Sequence, residues 1–135
     1  MFTYVQSTGK MYFQGPGYTN LIGKGYSGYG DHKNKPESQC FKDLGPIPTG
    51  QWSIGNLEDF TTGGGQVIHN CLRLTPKPGT NACGRTRFWI HGGNAAGTSS
   101  EGCIVLTVAE RQAIGKNPIK DLRVIASEAA ETFET

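Results

Sequence analysis

Two side chains in this sequence have the types and spacing of a nucleophile and its base: Cys103 and His91. His91 ends the apolar run Phe88-Trp89-Ile90 and is followed by Gly92-Gly93. Cys103 follows Gly102 and opens the apolar run Ile104-Val105-Leu106. Between them lies a loop of small and polar residues that ends in Ser99-Ser100-Glu101. A thiol is mostly protonated at neutral pH and becomes a strong nucleophile beside a base or a cation. Two short strands delivering an imidazole and a thiol to the ends of one loop supply that neighbour. Gly102 puts no Cβ in the way of a carbonyl approaching the Cys103 sulfur and backbone N–H, so that N–H is a candidate oxyanion donor. The other imidazole nitrogen needs an orienting partner. Asn94 is the nearest side chain that fits, and a backbone carbonyl at Gly92 or in the 93–100 loop serves as well. A single His at a strand end, or a single Cys in an apolar run, is usually structural; the combination carries the chemistry. His32 lies in a polar loop and is a lesser candidate for touching a substrate, and His69 reads as structural.

The elements that must position this pair follow from turn chemistry and alternation. A hairpin is expected over 2–14, a strand over 21–26, and a polar, glycine-rich loop over 27–36. Gly45-Pro46-Ile47-Pro48-Thr49-Gly50 is a rigid turn feeding a strand at Trp52. Strands follow over 67–74, 85–91 and 104–106. Thr107-Val108-Ala109-Glu110 is a capping box, opening a helix that runs to about Ile114 with Gly115 as its C-cap. A last strand over 122–126 precedes an acidic tail, 127–135, expected to fray. The predicted class is mainly β with one or two short helices, in a single domain, 1–135. If strands 67–74 and 85–91 form a hairpin centred near Lys77, Cys71 and Cys83 lie roughly opposite each other. A disulfide between them is then possible, two reduced thiols are the alternative, and the pairing among Cys40, Cys71 and Cys83 stays open, since any two could join in an oxidising compartment.

Composition narrows the partners. The 135 residues are 36% hydrophobic, enough for a core. The net charge is +2 with no Lys/Arg cluster, which argues against nucleic acid. No apolar run reaches a membrane span. The start, Met1-Phe2-Thr3-Tyr4-Val5-Gln6, has neither a basic n-region nor an apolar h-region, so synthesis in the cytoplasm without a secretory signal is expected. The four cysteines contain no CxxC, and with His91 they fit no common zinc spacing, so no metal and no other cofactor is expected.

Chain order adds a further discrimination. Papain-like enzymes place Cys before His; here His comes first, as in sortases and L,D-transpeptidases. His91-Gly92 followed by Ser100-Glu101-Gly102-Cys103-Ile104 resembles the signature of the L,D-transpeptidase (YkuD-like) catalytic domain. Tyr26-Ser27-Gly28-Tyr29-Gly30 with Asn34-Lys35-Pro36, Gly45-Pro46-Ile47-Pro48-Thr49-Gly50, and Arg87 through Gly92 resemble one branch of it. That branch is the type VI secretion L,D-transpeptidase effectors, antibacterial toxins. The resemblance covers nearly the whole chain.

The resemblance implies an L,D-transpeptidase-like β-sandwich acting on the peptide stem of peptidoglycan. Cys103 would attack the L-centre carbonyl of meso-diaminopimelate and expel the terminal D-Ala of a tetrapeptide. His91 matches the base, and Gly92, Ser100 and Gly102 match motif positions. Tyr26, Ser27 and Gly28 match the branch's first motif and, with Ser99, are assigned to substrate binding. Glu101 stands where housekeeping enzymes carry His or Arg, so Arg87 and Arg85, on the expected His91 strand, become candidates to hold the D-Ala carboxylate; a solvated strand face is the alternative for both. A cognate immunity protein and action in the target cell's periplasm are implied as well. The competing readings are a non-catalytic cell-wall or glycan-binding β domain, with Trp52, Trp89, Tyr26 and Tyr29 as stacking surfaces, and a different cysteine hydrolase.

Overall fold

A computed structural model describes residues 1–61, 64–93 and 102–128. Asn94, Ser99, Ser100, Glu101 and most of the acidic tail lie outside the described residues. The chain is mainly β with one α-helix, as expected. In order the strands are β1 (Phe2–Val5), β2 (Lys10–Gly15), β3 (Tyr18–Lys24), β4 (Tyr26–Ser27), β5 (Gly50–Thr61), β6 (Val67–Pro76), β7 (Phe88–His91), β8 (Ile104–Val105) and β9 (Asp121–Ile125). Helix α1 spans Val108–Lys116 between β8 and β9.

The strands hydrogen-bond in one mixed sheet, ordered β3-β2-β1-β9-β5-β6-β7-β8-β4. Its two edge strands, β3 and β4, are separated in the chain by Gly25 alone. A flat sheet cannot satisfy that connection, so the sheet curls until its edges meet. The curl encloses one core. Phe2 and Tyr4 from β1, Trp52 and Ile54 from β5, Leu72 and Leu74 from β6, Phe88 and Ile90 from β7, Ile104 from β8 and Leu122 and Val124 from β9 share a single apolar cluster. In each strand these residues sit two apart, the strand period that sends alternate side chains to one face.

The helix is closed at its start as the sequence predicts. Thr107 Oγ1 accepts from the Glu110 N–H at 3.2 Å, and Glu110 Oε1 accepts from the Thr107 N–H at 2.8 Å. It ends two residues later than expected, at Lys116, because Gly115 is a helical residue packed beside Leu57 and not a cap. Asn117 before Pro118 stops it, since a residue preceding proline avoids the α region.

Two expectations around β6 and β7 are corrected. The register Leu72↔Ile90, Arg73↔Trp89, Leu74↔Phe88 puts the midpoint of the connection at Asn81, not Lys77. β7 also begins only at Phe88. Arg85 to Arg87 lie outside the sheet, with the Arg85 N–H turned onto Ala82 O at 3.0 Å and Arg87 at φ +67°. Cys83 therefore does not face Cys71. It is bonded to Cys40, fastening the 39–49 rim to the segment that leads into β7. Cys71 is a buried free thiol donating to Ile68 O at 3.4 Å.

Candidate functional site

β7 and β8 run parallel as neighbours, with Ile90 opposite Ile104 and His91 opposite Val105. Ile90 and Ile104 are fully buried in the core. Alternation therefore puts Trp89 and His91 of β7 on the other face, with Val105 of β8 and Cys103 just before it. Tyr26 of β4 extends this face opposite Val105, and Arg73 of β6 extends it opposite Trp89. The imidazole and the thiol are thus brought to one face of adjacent strands.

His91 Nδ1 lies 2.6 Å from Gly92 O. A carbonyl only accepts, so Nδ1 carries the proton and Nε2 presents its lone pair. The orienting partner is the backbone carbonyl at Gly92, one of the alternatives raised by the sequence. Burial pushes the imidazole pKa below its usual value; the Gly92 carbonyl opposes this and the Arg111 charge adds to it. The ring is therefore a neutral base at pH 7. The Cys103 thiol is partly exposed and reaches Arg87 O at 3.6 Å.

Arg85 is not a residue of a solvated strand face. It is buried, and its guanidinium donates to Gln39 O at 2.5 Å, Pro46 O at 2.9 Å and Gly45 O at 2.9 Å. These bonds fasten it to the rim, and it also lines the surface beside His91 and Cys103. It is a fixed charge within electrostatic reach of Cys103: burial lowers its pKa, while Asp43 and Cys103 pull it upward. Gly102 makes room for it. A Cβ there would stand 2.3 Å from Arg85 Nη2, and the residue adopts φ +117°. The glycine before the nucleophile thus admits a buried cation, a duty the sequence does not reveal.

Ser27 and Gly28 are also buried. Ser27 Oγ accepts from the Ile47 N–H at 2.9 Å and donates to Gly102 O at 3.4 Å, tying the rim to the Cys103 strand. Ser27 therefore also braces the backbone at the nucleophile. Tyr26 is half-buried beneath Lys33, whose Nζ is 4.4 Å from the ring centroid. It lines a separate depression with Gly92, Gly93 and Arg111.

Two cavities meet at the pair, and both are lined by His91, Cys103 and Arg87. One, about 890 Å³, is apolar and includes Phe60, Ile68 and Trp89. The other, about 550 Å³, is polar and includes Lys42 and Asp43. Arg87 is exposed and stays a candidate for binding a carboxylate, joined by Lys42, which sequence reasoning missed. Arg111 was missed too, and the pairing of Cys40 with Cys83, one of those left open by the sequence, was not singled out. None of the three has a local pattern that marks it; each acquires its role from residues tens of positions away. His32 is held within its own loop by Ser38 Oγ at 2.8 Å and by Phe41. His69 pairs with Asp59 at 3.1 Å. Trp52 is fully buried and offers no stacking surface to a glycan, and Trp89 lies against Phe60 and Arg73 in the wall of the apolar cavity. Among the described residues no group of three metal-ligating side chains occurs, and no helix is long and apolar enough to cross a membrane.

The sequence matches the Tlde1 domain over residues 22–127, from β3 to just past β9. The chain belongs to the Tlde1 domain family. This is a family of type VI secretion effectors, and membership makes the chain a secreted effector domain consistent with an antibacterial role. The Tlde1 match contains the whole rim, the disulfide, both members of the pair and α1. No protein of curated function and no solved structure matches the chain.

Proposed function

We propose that this Tlde1 domain is a cysteine acyl-transfer enzyme, an L,D-carboxypeptidase or L,D-transpeptidase acting on the tetrapeptide stems of peptidoglycan. The observation that carries the reading is that a neutral imidazole, its Nδ1 anchored on Gly92 O, and the Cys103 thiol, which is in no disulfide, line the same two cavities. His91 Nε2 takes the Cys103 proton as sulfur attacks the carbonyl of the third stem residue. The Arg85 charge favours the developing thiolate. Collapse of the tetrahedral adduct breaks the C–N bond, the imidazolium returns its proton to the departing amine, and D-Ala leaves with a thioester remaining on Cys103. Water, a free D-amino acid or the amine of a second stem then attacks the thioester, with His91 again as base. Arg87 and Lys42 hold the D-Ala carboxylate in the polar cavity. Ser99 and Ser100 belong to the same site by their place in the motif. Trimmed or capped stems cannot enter ordinary crosslinks, so the effector acts in the periplasm of a target cell, and its producer needs an immunity protein.

Incubating the protein with purified tetrapeptide muropeptides tests the substrate. Loss of one D-Ala, or its replacement by an added D-amino acid, is the expected change in product mass. Cuts elsewhere in the stem or in the glycan would make it a different hydrolase.

A further inference from the structure

α1 packs against the back of the pair, and one of its two buried side chains is charged. Arg111 Nε donates to Asn70 O at 2.7 Å, Nη1 to Leu106 O at 2.5 Å and Nη2 to His69 O at 3.5 Å. Leu106 in turn donates its N–H to His91 O at 3.0 Å. The guanidinium therefore joins the middle of β6 to the exit of β8 across the backbone of His91. It comes so close that a Cβ on Gly92 would lie 2.9 Å from Nη1.

We propose that Arg111 is the positioning residue of the His91–Cys103 pair, fixing the backbone that orients the imidazole and seating a permanent positive charge behind it. Other charged or titratable groups near His91 face it differently. Cys71 and Arg73 line the apolar cavity with it from β6, Arg73 lying over the Trp89 ring, and Cys103 lies beside β8. Arg85, Arg87, Lys42 and Asp43 line the polar cavity. The exposed charges of Arg87, Lys42 and Asp43 act across open space that water and salt screen, and the buried Arg85 guanidinium acts on Asp43 and Cys103. Glu110, next to Arg111 on α1, is engaged in the helix cap. Arg111 acts from the buried side, where a charge is felt most. Burial is the larger cause of the lowered imidazole pKa, and the Arg111 charge adds to it, helping to keep the ring unprotonated and ready to accept the thiol proton.

The inference rests on His91 being the base, and its test uses no substrate, so it can fail while the peptidoglycan reading stands, or stand while that reading fails. The His91 ring resonance is followed by NMR against pH in the full chain, in wild type, Arg111→Lys and Arg111→Gln. Both variants keep a donor for the carbonyls, and only the second loses the charge. The midpoint is expected to move to higher pH in Arg111→Gln and to stay near wild type in Arg111→Lys. An unmoved midpoint in Arg111→Gln, or an equal rise in both, overturns the proposal. A readout without any variant covers the case in which neither folds. In wild type, the Arg111 Nε–H resonance must report the His91 titration, and silence there overturns the proposal as well.

Discussion

Cys103→Ala is expected to leave a folded protein that no longer releases D-Ala. The loss should be at least about 10³-fold, because removing a nucleophile abolishes the covalent route and leaves only binding and polarisation of the carbonyl. The reason to expect intact folding is local. The thiol is partly exposed, and its hydrogen bond to Arg87 O is a long one at 3.6 Å. The neighbours that hold the backbone, Ile104 in the core and Gly102 on Ser27, keep their contacts. Stability should change by less than about 1 kcal/mol. D-Ala release and thermal unfolding are measured on the same preparation. Full turnover by a folded variant would move the nucleophile elsewhere, and Cys71, the second free thiol, lines the same apolar cavity.

Breaking the Cys40–Cys83 bond should have the largest effect on stability. The two positions are 43 residues apart. Closing a loop of that size in the unfolded chain corresponds to about 4 kcal/mol in the chain-entropy picture, and measured losses for native disulfides run from about 2 to 5 kcal/mol. The damage would centre on the site. The bond holds the rim against the turn from Ala82 to Arg87, and the rim supplies the three carbonyls that seat Arg85. Denaturant unfolding of the double variant Cys40→Ser, Cys83→Ser, compared with wild type without reductant, is expected to give a clearly lower midpoint. Equal midpoints would mean that Arg85 and its carbonyls fasten the rim unaided.

The parts of this fold that were legible in the sequence are those set by neighbours in the chain. The Thr107–Glu110 capping box, the first hairpin and the alternation of Leu72 and Leu74 or Phe88 and Ile90 each follow from local rules, and so does the placing of His91 and Cys103 at the ends of apolar runs. What stayed hidden depends on distant partners or on backbone states that residue type does not announce. Arg87 and Cys83 adopt positive φ without being glycine, so the shortened β7 and the late turn left no mark. Arg85 and Arg111 look like surface charges until the carbonyls of the rim, β6 and Leu106 converge on them. Gly115, a stop signal by type, is a helical residue instead, at a point where a Cβ would stand 3.1 Å from Leu57 Cβ. The curl of the sheet follows from one residue between β3 and β4, whose meaning emerges only once those strands are known to be opposite edges.

The central claim is a thioester on Cys103 that carries a stem peptide shortened by one D-Ala. Intact-protein mass spectrometry of the enzyme mixed with tetrapeptide muropeptide and quenched in acid tests it most directly. The account expects an adduct equal to the muropeptide less one D-Ala, mapping to the peptide that contains Cys103 and discharged by hydroxylamine. D-Ala release without such an adduct, or an adduct mapping to Cys71, would contradict it.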